Sequence, residues 1–126
     1  MKQFPHPNSR QRLGKYGEDL AAEYLTKHGY LIIEHNFKAR YGELDLIALK
    51  NKQLIFIEVK TRIGTAYGLP EEAITKRKLD EVKLTAAYYF TLHPELPSFH
   101  RIDAVAILLY PDRTIKDFRH IENITQ

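Results

Sequence analysis

The spacing of hydrophobic residues predicts a helix near the start of the chain. Between Ser9 and Gly29, apolar side chains recur every three or four positions, which is the repeat of one helix face. Gly29 is suited to end this helix, because glycine tolerates the positive φ angle of many helix ends. The preceding segment, residues 1–8, contains two prolines, and we expect it to be loosely ordered.

Three segments rich in β-branched and apolar residues follow. We predict strands at residues 30–38, 43–50 and 53–62. The turns between them are short, Asn51-Lys52 being the second, so neighbouring strands are expected to run antiparallel.

The second half of the chain predicts a second helix and further strands. Residues 63–72 contain glycine and proline and indicate a loop, and a helix is expected at 75–92. A strongly apolar strand at 99–110 and an edge strand at 114–120 complete the chain. The order helix-strand-strand-strand-helix-strand predicts one α/β domain over residues 1–126, with a mixed sheet flanked by helices.

The composition is that of an ordinary globular domain. The 126 residues are 44% hydrophobic and 28% charged, and none is cysteine. The absence of cysteine excludes disulfides and thiolate metal sites and favours a cytoplasmic location. No apolar run is long enough to predict a membrane span. The net charge of +3 favours a polyanionic partner such as nucleic acid, whereas the 14 Tyr and Phe residues show no base-stacking pattern and are interpreted mainly as core.

Two charged residues interrupt the apolar third strand. Glu58 and Lys60 are two positions apart, so they share a face about 6.5 Å apart along the backbone. Burying either charge without a partner costs several kcal/mol (~1–5). The sequence is consistent with two interpretations, a structural Glu58–Lys60 pair and a functional site.

Asp45 is a second charge among apolar neighbours, in the second predicted strand. Counting outward from the Asn51-Lys52 turn places it near Glu58 on the adjacent strand. Two converging carboxylates repel unless a divalent cation lies between them. Oxygen ligands favour Mg²⁺ or Mn²⁺ over zinc. On the first helix, Glu18 flanks the apolar stripe, where it can face this site or be an ordinary solvated residue.

The chain strongly resembles the YraN-like bacterial proteins in several runs of residues. These runs are Gly17-Glu18-Asp19-Leu20-Ala21-Ala22, Asn36-Phe37, Gly42-Glu43-Leu44-Asp45-Leu46-Ile47, Phe56-Ile57-Glu58-Val59-Lys60-Thr61-Arg62, Lys78 and Arg101-Ile102-Asp103. The resemblance covers residues 14–107. That family is assigned to the restriction-endonuclease-like superfamily and is similar to archaeal Holliday junction resolvases, so the resemblance implies a restriction-endonuclease-like core.

The resemblance also implies roles for individual residues. Asp45 and Glu58 match the metal-binding carboxylates, and Lys60 matches the lysine beside the attacking water. Glu18 matches the acidic residue on the first helix that the resolvases use at the metal. One departure is Leu44, where the superfamily frequently has proline, and this position contributes no ligand.

Three further residues have two interpretations each. Lys78 matches a basic family position and is expected either to reach a phosphate or to extend along the surface toward solvent. Arg62 shares the face of Lys60 and is expected to contact a phosphate or to pair with Glu43. Asp103 lies two residues after Arg101, which favours a structural salt bridge or capping contact.

These residues together predict a Mg²⁺- or Mn²⁺-dependent endonuclease that hydrolyses phosphodiesters in DNA, including branched DNA, with RNA the less favoured substrate. The main alternative is a non-catalytic, structure-specific nucleic-acid-binding protein with the same fold. A third is an interaction protein whose acidic residues are only structural. Similarity to the resolvases implies a homodimer, because symmetric cutting of a two-fold junction needs two sites.

Overall fold

The computed structural model describes residues 9–125, so the expectation for residues 1–8 lies outside the described range. The elements are α1 (Ser9–Lys27), β1 (Leu31–Ala39), β2 (Gly42–Lys50), β3 (Gln53–Ile63), a 3-10 helix (Pro70–Ala73), α2 (Lys76–Leu92), β4 (His100–Leu109) and β5 (Ile115–Ile121). The predicted order is confirmed. The 3-10 helix is an addition that hydrophobic spacing does not indicate, since one turn is too short to show a period.

The five strands form one mixed sheet in the order β1-β2-β3-β4-β5. The first three strands form an antiparallel meander. After the α2 crossover, β4 pairs parallel to β3, and β5 pairs antiparallel to β4. β3 is therefore the central strand, and its residues 54–59 are buried, as its apolar sequence predicts.

The helices cover opposite faces of the sheet and define two core layers. Ala21 and Leu25 of α1 pack with Ile55 and Ile57 of β3 in the first layer. The second layer, on the α2 face, comprises Leu44, Ile47, Leu54, Phe56, Val82, Ala86, Tyr89 and Ile102. Neither helix of the described residues is both long and apolar enough to cross a bilayer.

The turn between β2 and β3 sets the pairing of these strands. Asn51 and Lys52 have positive φ angles of 51° and 61°, which suit a two-residue hairpin turn. The pairing starts at Lys50–Gln53 and runs to Leu46–Ile57. Within the described chain the ladder does not continue to Asp45, and the two strands separate at this point.

A local irregularity in β2 accompanies this separation. Leu44 packs in the α2 layer, whereas Leu46, two residues later, packs in the α1 layer. In a regular strand these two side chains would share a face, so the alternation changes at Asp45. Opposite this point, Asn36 of β1 has a φ angle of 51°, a left-handed conformation that asparagine tolerates better than most residues.

Candidate functional site

Three carboxylates from two elements meet where β2 and β3 separate. One carboxylate oxygen from each of Glu18, Glu43 and Asp45 lies within 4.8 Å of the other two. Glu18 comes from α1 and the other two from β2. The structure therefore brings Glu18 and Asp45 together as the sequence predicts, and it adds Glu43. The signal for Glu43 was its spacing, because residues two apart in a strand share a face.

A backbone hydrogen bond holds Asp45 in the gap between the strands. Its Oδ2 accepts a hydrogen bond from the Val59 amide, with an N–O distance of 2.8 Å. Val59 follows Glu58 in β3, so counting from the turn correctly places Asp45 beside this part of the strand. The side chain substitutes for the missing backbone partner of the Val59 amide, which would otherwise be a buried donor without an acceptor.

Glu58 occupies a different environment from the three clustered carboxylates. Its side chain is 1% exposed, and neither carboxylate oxygen has a hydrogen-bond partner in the described chain. Lys78 of α2 provides the ion-pair partner, with its Nζ 3.8 Å from Oε2. That distance is too long for a good hydrogen bond. Glu58 is not a member of the 4.8 Å cluster and lies against the α2 side of the sheet.

Burial raises the pKa values of Glu58, Glu18 and Asp45. Burial, followed by the charge of Asp45, raises the pKa of Glu58 to about 8 despite Lys78 and Lys60. Burial and Asp45 also raise the pKa of Glu18 to about 7, although a hydrogen bond with Asn36 opposes this rise. Burial raises the pKa of Asp45 as well, against the opposing hydrogen bond from Val59.

A cleft of about 520 Å³ opens at the cluster. It is lined by Arg10, Leu13, Gly14, Glu18, Asp45, Val59, Lys60, Thr61, Arg62 and Tyr67. Lys60 thus shares a cleft with Glu18 and Asp45, two of the three clustered carboxylates. Tyr67 belongs to the loop after β3, so this loop borders the cleft.

The two basic residues predicted to bind phosphate have different surroundings. Arg62 lines the cleft, and its guanidinium donates to the Thr61 carbonyl at 3.1 Å. Lys78 is 28% exposed and pairs with Glu58, an arrangement that neither of its two predicted interpretations includes. Lys78 therefore balances the charge of the buried acid from the α2 face.

The available ligands fit a hard divalent cation. All four acidic groups offer oxygen atoms, the donor type that Mg²⁺ and Mn²⁺ prefer. The buried Glu58 oxygens lack hydrogen-bond donors, and a nearby cation would offset the cost of this unsatisfied charge. Glu18, Glu43 and Asp45, with Glu58 buried nearby, are therefore candidate groups for holding such a cation.

Asp103, the remaining acidic candidate, has a structural role. The side chain is fully buried and accepts hydrogen bonds from the Arg101 guanidinium at 2.9 and 3.1 Å and from the Asn123 amide at 2.9 Å. His120 Nε2 lies 2.8 Å from the same carboxylate. Its partners satisfy the carboxylate, and the predicted salt bridge with Arg101 is confirmed.

The five-stranded mixed sheet and the two helices that cover its faces define an α/β fold. The model of Uncharacterised protein family UPF0102 matches residues 17–107. The chain therefore belongs to this family. The matched range contains all the carboxylates of the site together with Lys60 and Lys78.

Relatives in several bacteria match most of the chain. A UPF0102 protein of Syntrophomonas wolfei is 48% identical over 99 residues, which cover 79% of this chain and 86% of the relative. A UPF0102 protein of Caldanaerobacter subterraneus is 39% identical over 116 residues, which cover 91% of this chain and 95% of the relative.

One solved structure is also similar, a repair endonuclease from Pyrococcus abyssi. It matches with a TM-score of 0.37 and 15% identity, over 88% of this chain and 40% of the endonuclease chain. The chain thus spans less than half the length of that protein.

Proposed function

We propose that this protein is a metal-dependent endonuclease that hydrolyses phosphodiester bonds in nucleic acid, with DNA as the favoured substrate. The observation that carries the proposal is the meeting of Glu18, Glu43 and Asp45 beside Lys60 in one open cleft. Converging acids and a lysine at a cleft are suited to holding a cation and a phosphate together.

The chain's own residues have separate tasks in this proposal. Asp45, Glu43 and Glu18 hold the ion from the open side, and Glu58 supplies buried negative charge from the other side of the strand gap. A bound Mg²⁺ or Mn²⁺ supplies charge neutralisation at the phosphate and a more acidic water. Lys60 orients the attacking water and stabilises the negative charge that develops on the phosphate.

Arg62 and Lys78 supply the other two positive charges of the proposed site. Arg62 lies on the same cleft as Lys60, and its guanidinium offers the planar donors that suit a phosphate. Lys78 lies 3.8 Å from Glu58 and limits the cost of burying that acid. Residence in the cytoplasm and assembly into a homodimer, both expected from the sequence, belong to this proposal.

A nucleic-acid-binding protein without catalysis is the second candidate. The observation that favours it is the Glu58–Lys78 pair, because the Lys78 ammonium already places a positive charge beside the buried acid. If this pair satisfies Glu58 fully, the cleft retains a basic rim for phosphate and needs no divalent ion.

A cleavage assay with matched variants separates the two candidates. Labelled duplex, single-stranded, flap and four-way-junction DNA is incubated with Mg²⁺, Mn²⁺ or EDTA. We expect metal-dependent cleavage of at least one substrate and its loss, by on the order of a hundredfold or more, in Glu18→Gln and Asp45→Asn.

Glu23→Gln is the control for Glu18→Gln, because Glu23 is an exposed acid on the same helix that pairs with Lys27. This variant should cleave at the wild-type rate. Glu43→Gln should reduce cleavage and also the thermal stabilisation by Mg²⁺. Salt-dependent DNA binding without cleavage in any condition would favour the second candidate, and no binding at all would contradict both.

A further inference from the structure

Tyr67 is an aromatic residue that stands outside the core at the rim of the cleft. Its side chain is 96% exposed, and it lines the same cleft as Asp45 and Lys60. A ring in this position contributes almost nothing to the packing of the fold, because little of its surface is buried. Single exposed aromatic residues are common, but this one borders the cluster of candidate ligands.

The loop that carries Tyr67 is fixed by hydrogen bonds at both ends. The Gly64 amide donates to the Leu109 carbonyl at 3.2 Å, and the Gly68 amide donates to the Thr65 carbonyl at 3.0 Å. The next residue, Leu69, donates its amide to the Glu72 carboxylate at 2.9 Å. These bonds hold the base of the loop while the ring stays in solvent.

The same cleft carries a basic side that suits a phosphate backbone. Arg10, Lys60 and Arg62 all line it together with Tyr67. Basic side chains that follow the phosphates, combined with an aromatic ring on which a base stacks, are the two elements of single-stranded nucleic-acid binding sites. A protein or lipid partner does not require both elements beside a group of converging carboxylates.

We propose that Tyr67 stacks on a nucleobase next to the phosphate held at the cleft, so that the site takes a strand containing an unpaired base. In a continuous duplex the neighbouring base pairs cover both faces of each base, and a protein ring reaches a face only where a base is unstacked. The substrate class is therefore a single strand, flap or branch point. This proposal rests on the proposed function for the position of the phosphate.

The first test uses fluorescence without metal, so it does not depend on cleavage. The chain contains no tryptophan, so Tyr67→Trp introduces a single reporter that can also stack. In EDTA, we expect a single-stranded oligonucleotide to quench this fluorescence and an equally long blunt duplex to leave it nearly unchanged. A series of oligonucleotides with one abasic position should lose the quenching at one or two adjacent positions.

Phe99→Trp is the matched control. Phe99 is 69% exposed and precedes β4, where its carbonyl accepts from the Leu54 amide at the beginning of β3. Glu58 and Lys60 lie toward the other end of that strand. The fluorescence of this variant should not change when the same oligonucleotide binds.

The second test measures affinity. We expect Tyr67→Ala to weaken binding of single-stranded DNA about tenfold, which is typical of losing one stacked base, with less than about a twofold change for duplex. Tyr67→Phe should bind like the wild type, because the ring is kept. Equal quenching by duplex and single strand, or no loss of affinity in Tyr67→Ala, would overturn the proposal.

The outcomes also separate this proposal from the proposed function. Position-dependent quenching without metal-dependent cleavage would keep the stacking role and remove the nuclease activity. Cleavage by wild-type protein and Tyr67→Ala alike, without quenching of Tyr67→Trp, would keep the nuclease and overturn the stacking role. Affinities measured side by side for RNA and DNA oligonucleotides of the same sequence show whether the site accepts ribose or deoxyribose.

Discussion

Gly17 of α1 lies directly against Thr61 of β3, so closely that a Cβ on residue 17 would overlap the Thr61 hydroxyl oxygen. The helix backbone therefore approaches the central strand more closely than any other residue type would allow. Glu18 follows immediately, and this close approach brings its carboxylate to Glu43 and Asp45. The contact links the packing of the first helix to the geometry of the site.

Gly17→Ala should therefore both destabilise the fold and disturb the site. Because the added methyl group forces α1 away from Thr61, we expect the free energy of unfolding to fall by about 1–3 kcal/mol. The thermal stabilisation by Mg²⁺ should also fall, because Glu18 moves with the helix. Urea denaturation and thermal melts with and without Mg²⁺ measure the two effects.

Gly14→Ala is the control on the same helix, since a Cβ there would meet no atom within 4 Å. It should stabilise the protein by about 0.5–1 kcal/mol through helix propensity. Adding Thr61→Ala to Gly17→Ala should recover part of the lost stability, because it removes the overlapping hydroxyl. If Gly17→Ala is as stable as Gly14→Ala, the close packing does not constrain the helix.

Glu58 should make the metal-free protein less stable as the pH rises. Its folded pKa of about 8 lies above the ordinary value of 4.5, so between these values the folded state keeps a proton that the unfolded state has lost. Stability contributed by the protonated acid is complete below pH 4.5, decreases through this window and is lost above pH 8. Urea denaturation from pH 4 to pH 9 in EDTA measures the decrease.

Glu58→Gln removes this titration while keeping the shape of the side chain. In EDTA at pH 9 the variant should be more stable than the wild type, and Mg²⁺ should stabilise it less. Glu23→Gln, at an exposed ion pair, should keep the wild-type pH profile. An unchanged profile in Glu58→Gln would show that this acid is already ionised and satisfied in the folded protein.

Lys60→Ala should separate catalysis from binding. If Lys60 acts on the water, cleavage should fall on the order of a hundredfold or more. DNA affinity should fall only by the contribution of about one phosphate contact. The slope of the logarithm of the binding constant against the logarithm of salt concentration should become shallower by about one. Lys27→Ala, at an exposed lysine on α1, is the control, and full cleavage by purified Lys60→Ala protein would contradict the assigned role.

Asp103 should control stability in acid. Although burial alone raises its pKa, the hydrogen bonds from His120, Arg101 and Asn123 outweigh burial and lower the pKa below 3.8. The stabilisation is therefore complete above about pH 4 and is lost as the pH falls through the folded value. Unfolding measured from pH 2 to pH 7 should show this loss in the wild type.

At neutral pH, Asp103→Asn should lower the free energy of unfolding by about 3 kcal/mol or more, because Arg101 loses its buried partner. The free energy of unfolding of Asp103→Asn should also fall much less between pH 7 and pH 2 than that of the wild type. Asp117→Asn is the control on β5, where Asp117 pairs with Arg119 at the surface, and it should change stability by less than about 1 kcal/mol. Equal effects in the two variants would show that the buried network contributes no more than a surface pair.

The sequence by itself determined the elements and part of the site. Hydrophobic spacing reflects which side chains leave water, so it predicts both helices and all five strands. Counting from the Asn51-Lys52 turn also brought Asp45 to the right part of β3, because a two-residue hairpin turn sets the register of both strands.

The tertiary structure alone decided how the charged groups are shared between the two faces of the sheet. It placed Glu43 in the cluster and paired Glu58 with Lys78, because both outcomes depend on where β2 separates from β3 and where α2 crosses. It also left Tyr67 in solvent, whereas composition predicted that aromatic residues lie mainly in the core. Local periodicity reports the average environment of a segment. The gap at Asp45 arises from contacts between residues far apart in the chain, so no local pattern contains it.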